Sequence, residues 1–395
     1  MSWPIVTLGD VATFIRNGVS LKQSSEASGL KITRIETIAD RIVNLDKCGY
    51  ADLGDSDYPE YRLKRGDILI SHINSEKHLG KCAIFELNRD DIVHGMNLLC
   101  FRANDKVFPK YVFYYLSSPQ FLSQLPTITK KSVNQASFTV TNFKELEIPL
   151  PPLTEQKRIA AILDKADAIC RKRQQAIELA DEFLRAVFLD MFGDPATNQK
   201  NFPVGTIRDF VETANYGSSA KASEVDGEYP ILRMGNITYN GAIDMTDLKY
   251  IDLSEKDKPK YLVTKGDLLF NRTNSKELVG KTAVYDGDNP VAIAGYLIRV
   301  RTNDKGNTHY ISGYLNSDHG KATLQNICKS IVGMANINAQ EMQDIPILIP
   351  PMDLQSKYRD IVLSVKEKLT KHQTALSFNS DLFGSLSQKA FSGNL

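Results

Sequence analysis

Ser71, His72, Asn74, Ser75, Lys77 and Lys81 follow one Gly-Asp pair, and Asn271, Arg272, Asn274, Ser275, Lys276 and Lys281 follow another. Guanidinium and carboxamide groups pair bidentately with guanine and adenine edges, whereas Lys and Ser suit phosphates. Lys130, Lys131 and Ser132 form a second polar set, matched by Lys329 and Ser330. Arg34 and Arg233 occupy corresponding places in Ile32-Thr33-Arg34-Ile35 and Ile231-Leu232-Arg233-Met234. The candidate DNA-binding residues are therefore Arg34, His72, Asn74, Ser75, Lys81, Lys130, Lys131, Arg233, Arg272, Asn274, Ser275, Lys276 and Lys281.

Patterns for bond-making chemistry fail one by one. Gly280-Lys281-Thr282 resembles the end of a P-loop, but Ser275 stands where its first glycine belongs. No G-x-G-x-x-G follows a strand, and no Asn-Pro-Pro-aromatic motif of amino-methyltransferases occurs. The one Glu-x-Lys triplet, Glu155-Gln156-Lys157, opens a helix with no Asp partner just upstream, so a metal-dependent nuclease site is unsupported. His72, His78, Cys82 and His94 fit no zinc spacing, and the first three correspond to Arg272, Leu278 and Thr282. No Ser-His-Asp or Cys-His set suggests itself, although sequence order alone leaves one open. The chemistry expected of the chain is binding, with no catalytic residue and no metal site.

Two long helices must position these loops. Residues 149–193 open on Pro149, Pro151 and Pro152, which end what precedes them. Thr154 offers a cap, with Glu155 and Gln156 in the first turn. Leu163, Cys170, Ile177, Leu184 and Met191 recur every seventh residue; Ile159, Ala166, Ala180 and Val187 form the neighbouring row, interrupted by Arg173. At 1.5 Å per residue this helix is roughly 55 Å long. Residues 349–395 repeat the pattern at an offset of 199. Asp353 stands as the cap, and the rows are Val362, Leu369, Leu376, Phe383, Ala390 and Val365, His372, Asn379, Leu386. The polar members fix register at some cost in stability.

The intervening segments, 1–148 and 194–348, repeat one another. RGDILISHINSEKHLGKCAIF (65–85) aligns without gaps on KGDLLFNRTNSKELVGKTAVY (265–285). Lys31–Ile35, Asp67–Ile70, Lys81–Phe85 and Leu98–Phe101 read as strands, and Tyr111–Leu116 as a short core helix. The fold class is α+β: two repeated mixed domains separated by two long antiparallel helices paired as a coiled coil, with pseudo-two-fold symmetry. The 395 residues are 42% hydrophobic with a net charge of +1, so any nucleic-acid surface is local. Five scattered cysteines without a C-x-x-C pair suit reduced thiols in a cytosol. No apolar run approaches a membrane span and no signal peptide is read, so a cytoplasmic protein is expected.

LGDVATFIRNG, RGDILIS…GKCAIF and IPLPPLTEQKRIAAILD, with the second copies KGDLLFNRTNS…GKTAVY and LIPPMDLQ, resemble the specificity subunits of type I restriction-modification systems. The resemblance covers essentially the whole chain. Its departure is Asp353-Leu354-Gln355 in place of Thr154-Glu155-Gln156, which questions the second cap. It implies that each domain reads one half of a bipartite double-stranded DNA target and that the helices act as a spacer. It also implies that two methyltransferase subunits dock along them, and that motor-nuclease subunits can join. S-adenosylmethionine, Mg2+ and ATP would then be held by those partners and none by this chain. Two alternatives stay open at this stage: an enzyme with an unread site, and a free-standing DNA-binding or scaffold protein without a methyltransferase partner.

Overall fold

A computed structural model describes residues 3–38, 41–54, 56–132, 135–331 and 333–395, with only the backbone of Ser330 and Ile331. The chain forms two compact units. One comprises the residues up to Gln174 together with Thr374–Leu395; the other is Gln175–Gln373.

In the first unit, Ala12–Asn17, Leu98–Ala103, Ile68–Ser71 and Cys82–Ile84 form an antiparallel four-stranded sheet in that spatial order. In the second, Val211–Tyr216, Leu297–Thr302, Leu268–Asn271 and Thr282–Val284 do the same. The register repeats too: Ile68 faces Ile84 and Phe101, and Leu268 faces Val284 and Val300. The Gly-Asp pair that opens the central strand is structural. Gly66 and Gly266 take φ of +96° and +94°, which favours glycine. Asp67 accepts the Lys64 N–H at 2.7 Å and a bidentate pair from Arg102 at 2.7 and 2.6 Å. Asp267 does likewise with Thr264 and Arg301. Both carboxylates are buried, so their worth lies in this complete pairing.

The expected strand over Lys31–Ile35 is shorter. It spans Leu30–Ile32 and gives way to a 3-10 turn, Ile35–Ile38. The Thr37 hydroxyl accepts the Arg34 N–H at 2.8 Å and closes that turn. Tyr111–Leu116 lies in the helix Pro109–Leu116, all six residues buried.

The long helices are Leu153–Phe192 and Met352–Phe391. Each begins one residue or more before its expected cap. The Pro152 carbonyl accepts the N–H groups of Glu155 and Gln156, and Pro351 those of Leu354 and Gln355. Thr154 and Asp353 are exposed first-turn residues and cap nothing. The signature acts through Gln156, which is fully buried. It accepts the Phe108 N–H at 2.7 Å and donates to the carbonyls of Pro151 and Lys106 at 2.8 and 3.2 Å. Gln355 makes the same three bonds with Asn307, Pro350 and Lys305. The departure in the second copy therefore spares the buried glutamine and changes the exposed first-turn residue, Asp353, together with Leu354, which packs against the core of its unit.

Every seam position expected from the heptads is buried or half-buried. Within the first unit, Ile159 and Leu163 near the start of one helix share a core with Phe383, Leu386, Ala390 and Phe391 near the end of the other. Within the second unit, Leu184, Val187, Phe188, Met191 and Phe192 meet Tyr358 and Val362. The helices thus run antiparallel in both units. Ion pairs fix each domain to a helix. Lys110 bridges Glu86 and Asp164 at 2.8 and 3.0 Å in one unit, and Asp286 bridges His309 and Lys366 at 3.1 and 2.6 Å in the other. Among the described residues no helix is long and apolar enough to cross a membrane.

Candidate nucleic-acid interface

The two polar sets that are far apart in sequence meet in a small sheet. Ile73–Asn74 pairs with Ala136–Ser137, which pairs with Lys130–Lys131. In the second unit Thr273–Asn274, Met334–Asn336 and Lys329–Ile331 repeat the arrangement. Lys131 and Glu76 join at 2.6 Å, both largely exposed, a pair that water screens and a phosphate could displace. Lys329 holds Glu341 at 2.5 Å. The Ser330 side chain lies outside the described residues.

Several of the candidate residues make bonds within their own unit. Asn74 and Asn274 each accept the N–H of the following serine, at 2.8 and 2.9 Å, so their carboxamide oxygens are engaged in the loop. Gly80 and Gly280, at φ of +78° and +81°, donate to the carbonyls of Ser71 and Asn271. Arg34 donates to Gln23 Oε1 at 2.7 Å and the Ser24 carbonyl at 2.9 Å. Arg233 binds Asp247 at 2.8 Å. Both arginines brace turns of their own unit. Lys281 donates to the Met234 carbonyl at 2.9 Å, and burial lowers the pKa of its ammonium. Lys81, Ser75 and Lys276 are exposed, and Ser275 is half-buried.

His72 departs most from expectation. It is 4% exposed, packs edge-on against Phe138, and is held neutral by burial, which pulls its pKa down to about 4. A cleft of about 280 Å³ opens beside it, lined also by Asn17, Lys130, Ser137 and Asn142. His94 is likewise buried and drawn down to about 4, with Nε2 2.9 Å from the Leu98 carbonyl oxygen. Neither imidazole is available as a surface cation. Among the described residues no group of three His, Cys, Asp or Glu side chains could hold a metal ion.

Arg272 is half-buried beside an aromatic ring. Its guanidinium lies 4.7 Å from the ring centroid of Tyr216, and its backbone is tied by the Tyr296 carbonyl and the Ile337 N–H at 3.0 and 2.9 Å. The Tyr216 hydroxyl accepts the Ala339 N–H at 3.0 Å. Tyr216 and Tyr296 were not among the candidates expected from the sequence, nor were their counterparts Asn17 and Asn97; the available signal was the glycine that follows the first of each set, Gly18 and Gly217.

Comparison with known proteins gives a consistent answer. A family model described as the type I restriction modification DNA specificity domain matches residues 2–179 and again 199–376. A putative type I restriction enzyme MjaX specificity subunit of Methanocaldococcus jannaschii is 38% identical over 233 residues, 58% of this chain and 55% of that protein. The type I restriction enzyme EcoKI specificity subunit of Escherichia coli is 25% identical over the whole chain and 89% of its own length. A crystal structure of the S subunit of a type I restriction-modification system from M. genitalium shares the fold, with a TM-score of 0.63 and 17% identity over 98% of this chain and 96% of that one. With the family model matching both copies of the repeat, the chain belongs to the type I restriction-modification DNA specificity family.

Proposed function

We propose that this chain is the sequence-reading subunit of a type I restriction-modification complex, each unit recognising one half of a bipartite double-stranded DNA target. The observation that carries this is the repetition of one rigid frame with unlike side chains on its rim. A frame used twice suits two related half-sites, and the unlike side chains suit different bases. Coupling two modest readers through helices makes the second binding event intramolecular.

The chain's own part is recognition and assembly. Methyl transfer to adenine belongs to two docked methyltransferase subunits with S-adenosylmethionine. Any motor-nuclease subunits would bring Mg2+ and ATP. Large apolar side chains on the outer sides of the helices support docking: Ile169, Phe378 and Leu382 in the first unit, and Leu179, Phe183 and Leu189 in the second, are 46–68% exposed. Five free cysteines suit the cytoplasm.

The test is co-expression with the methyltransferase subunit of the same system, followed by mapping of methylated adenines in the host genome. A two-part motif with an unspecified gap, lost when this chain is omitted, is the expected result. Stable purification without any methyltransferase, together with binding to a continuous site, would instead indicate a free-standing DNA-binding protein.

A further inference from the structure

The two units share a backbone around the small three-stranded sheet but differ in three side chains on it. The pairs are Asn17 and Tyr216, His72 and Arg272, and Asn97 and Tyr296, the last two each directly preceding a strand of matching register. Each ends, follows or precedes a strand of the main sheet, and each is pinned in the same way. A Cβ on Gly18 would lie 2.2 Å from the His94 carbonyl oxygen, and one on Gly217 2.3 Å from that of Ala294. The loops bearing the first and third positions are therefore locked together. The carbonyls of His72 and Arg272 accept the N–H groups of Phe138 and Ile337, at 3.1 and 2.9 Å. A main chain so fixed tolerates changes of side chain without moving.

What the three positions present is chemically opposite. In the second unit Tyr216 reaches across to the Ala339 N–H, the counterpart of Val140, which lines the cleft of the first unit. The aromatic ring thus occupies the place that is open beside His72. Arg272 lies on that ring with Nε buried and without a partner, and Tyr296 stands 53% exposed nearby in sequence to the strand it leads. A planar guanidinium pre-oriented on an aromatic face matches the two acceptors of a guanine edge. In the first unit the cleft is open, and His72, which lines it, has a buried Nδ1 without a partner.

We propose that residues 17, 72 and 97 and residues 216, 272 and 296 are the specificity-determining sets of the two units, with Arg272 reading a guanine. This rests on the assignment of each unit as a DNA half-site reader, and goes beyond it by saying which side chains choose the bases.

The experiment uses the full chain with its methyltransferase partner and reads the methylated motif. Exchanging the first set for the second, N17Y/H72R/N97Y, should change the first half-site toward the second while leaving the second half-site and the gap as they were. An active variant with its original motif overturns the proposal. Should the triple variant fail to fold, Arg272→Lys decides. It keeps the charge and loses the fork, so discrimination at one base pair of the second half-site should fall about ten-fold or more, with non-specific duplex binding unchanged. Undiminished discrimination overturns it. Wild-type complex assayed in parallel separates the two levels: if it shows no sequence preference, the DNA-reading assignment itself fails.

Discussion

Gln156 and Gln355 explain why a proline-rich helix start is followed by glutamine. Each carboxamide closes three hydrogen bonds among backbone groups that the fold has buried. Gln156→Leu leaves an N–H and two carbonyls unpaired, at about 1–3 kcal/mol for each group. A clear fall in Tm by calorimetry is expected, whereas Thr154→Ala, at the exposed first-turn position, should change Tm by less than a degree or two. The buried histidines make a second residue-scale prediction. His72 and His94 titrate at about 4 in the folded chain against 6.5 for an ordinary imidazole. The unfolded chain therefore binds more protons between pH 6.5 and 4, and stability falls as pH falls through that window. Their counterparts are Arg272 and Ile293, so the loss belongs to the first unit. Melting curves from pH 7 to 4.5 should show it, and His94→Gln should flatten the dependence.

At the scale of elements, the periodicities were legible and the side-chain duties were not. Heptad rows fixed both helices because a helix with one apolar stripe must bury it. The gapless match of 65–85 with 265–285 became the same strand register. The duties of hydrogen-bonding side chains were not legible, because Asn74, Arg34 and Lys281 are the same residues whether they serve a base or the backbone; only the folded neighbours show the bonds they make within the unit. Burial of His72 was likewise invisible, since it follows from the strands Lys130–Lys131 and Ala136–Ser137, with Phe138, packing beside it from far along the chain. The seam offers a test. His372 and Asn379 hold half-buried side-chain nitrogens without partners. Asn379→Leu should raise Tm by roughly 2–4 °C if about 1 kcal/mol is recovered. An unchanged or lower Tm would mean that the carboxamide is well solvated.

For the whole molecule, the shared helix socket predicts what half of it will do. In the first unit Phe391 packs on Tyr111 and Tyr115, with ring centroids 5.4 and 5.1 Å away. In the second, Phe192 packs on Tyr310 at 4.6 Å. A fragment of residues 1–193 lacks Phe391 but carries Phe192 at the matching register. Two copies can supply each other's missing half-helix, so the fragment should dimerise in sedimentation and, with the methyltransferase, modify a palindrome of the first half-site. A folded monomer at micromolar concentration would count against this. The proposed spacer role predicts a length effect. Seven residues inserted after Lys172 and seven after Lys371 keep the rows aligned and add ~10 Å, with a turn of only about 20°. The gap in the methylated motif should widen by about three base pairs, at 3.4 Å each, with both half-sites retained. An active variant with its original gap would refute the ruler.

Phe391 also sets a timetable. The domain translated first needs the last helical residue of the chain to complete its core. Between Gln174 and Thr374 the ribosome must add the entire second unit, which takes roughly 10–40 s at 5–20 residues per second. During that interval Tyr111 and Tyr115 lack their intended cover, and the only closely similar segment already made is the one ending in Phe192. A nascent chain is therefore exposed to pairing with a neighbour on the same messenger, and the yield of active protein should depend on how densely ribosomes are loaded.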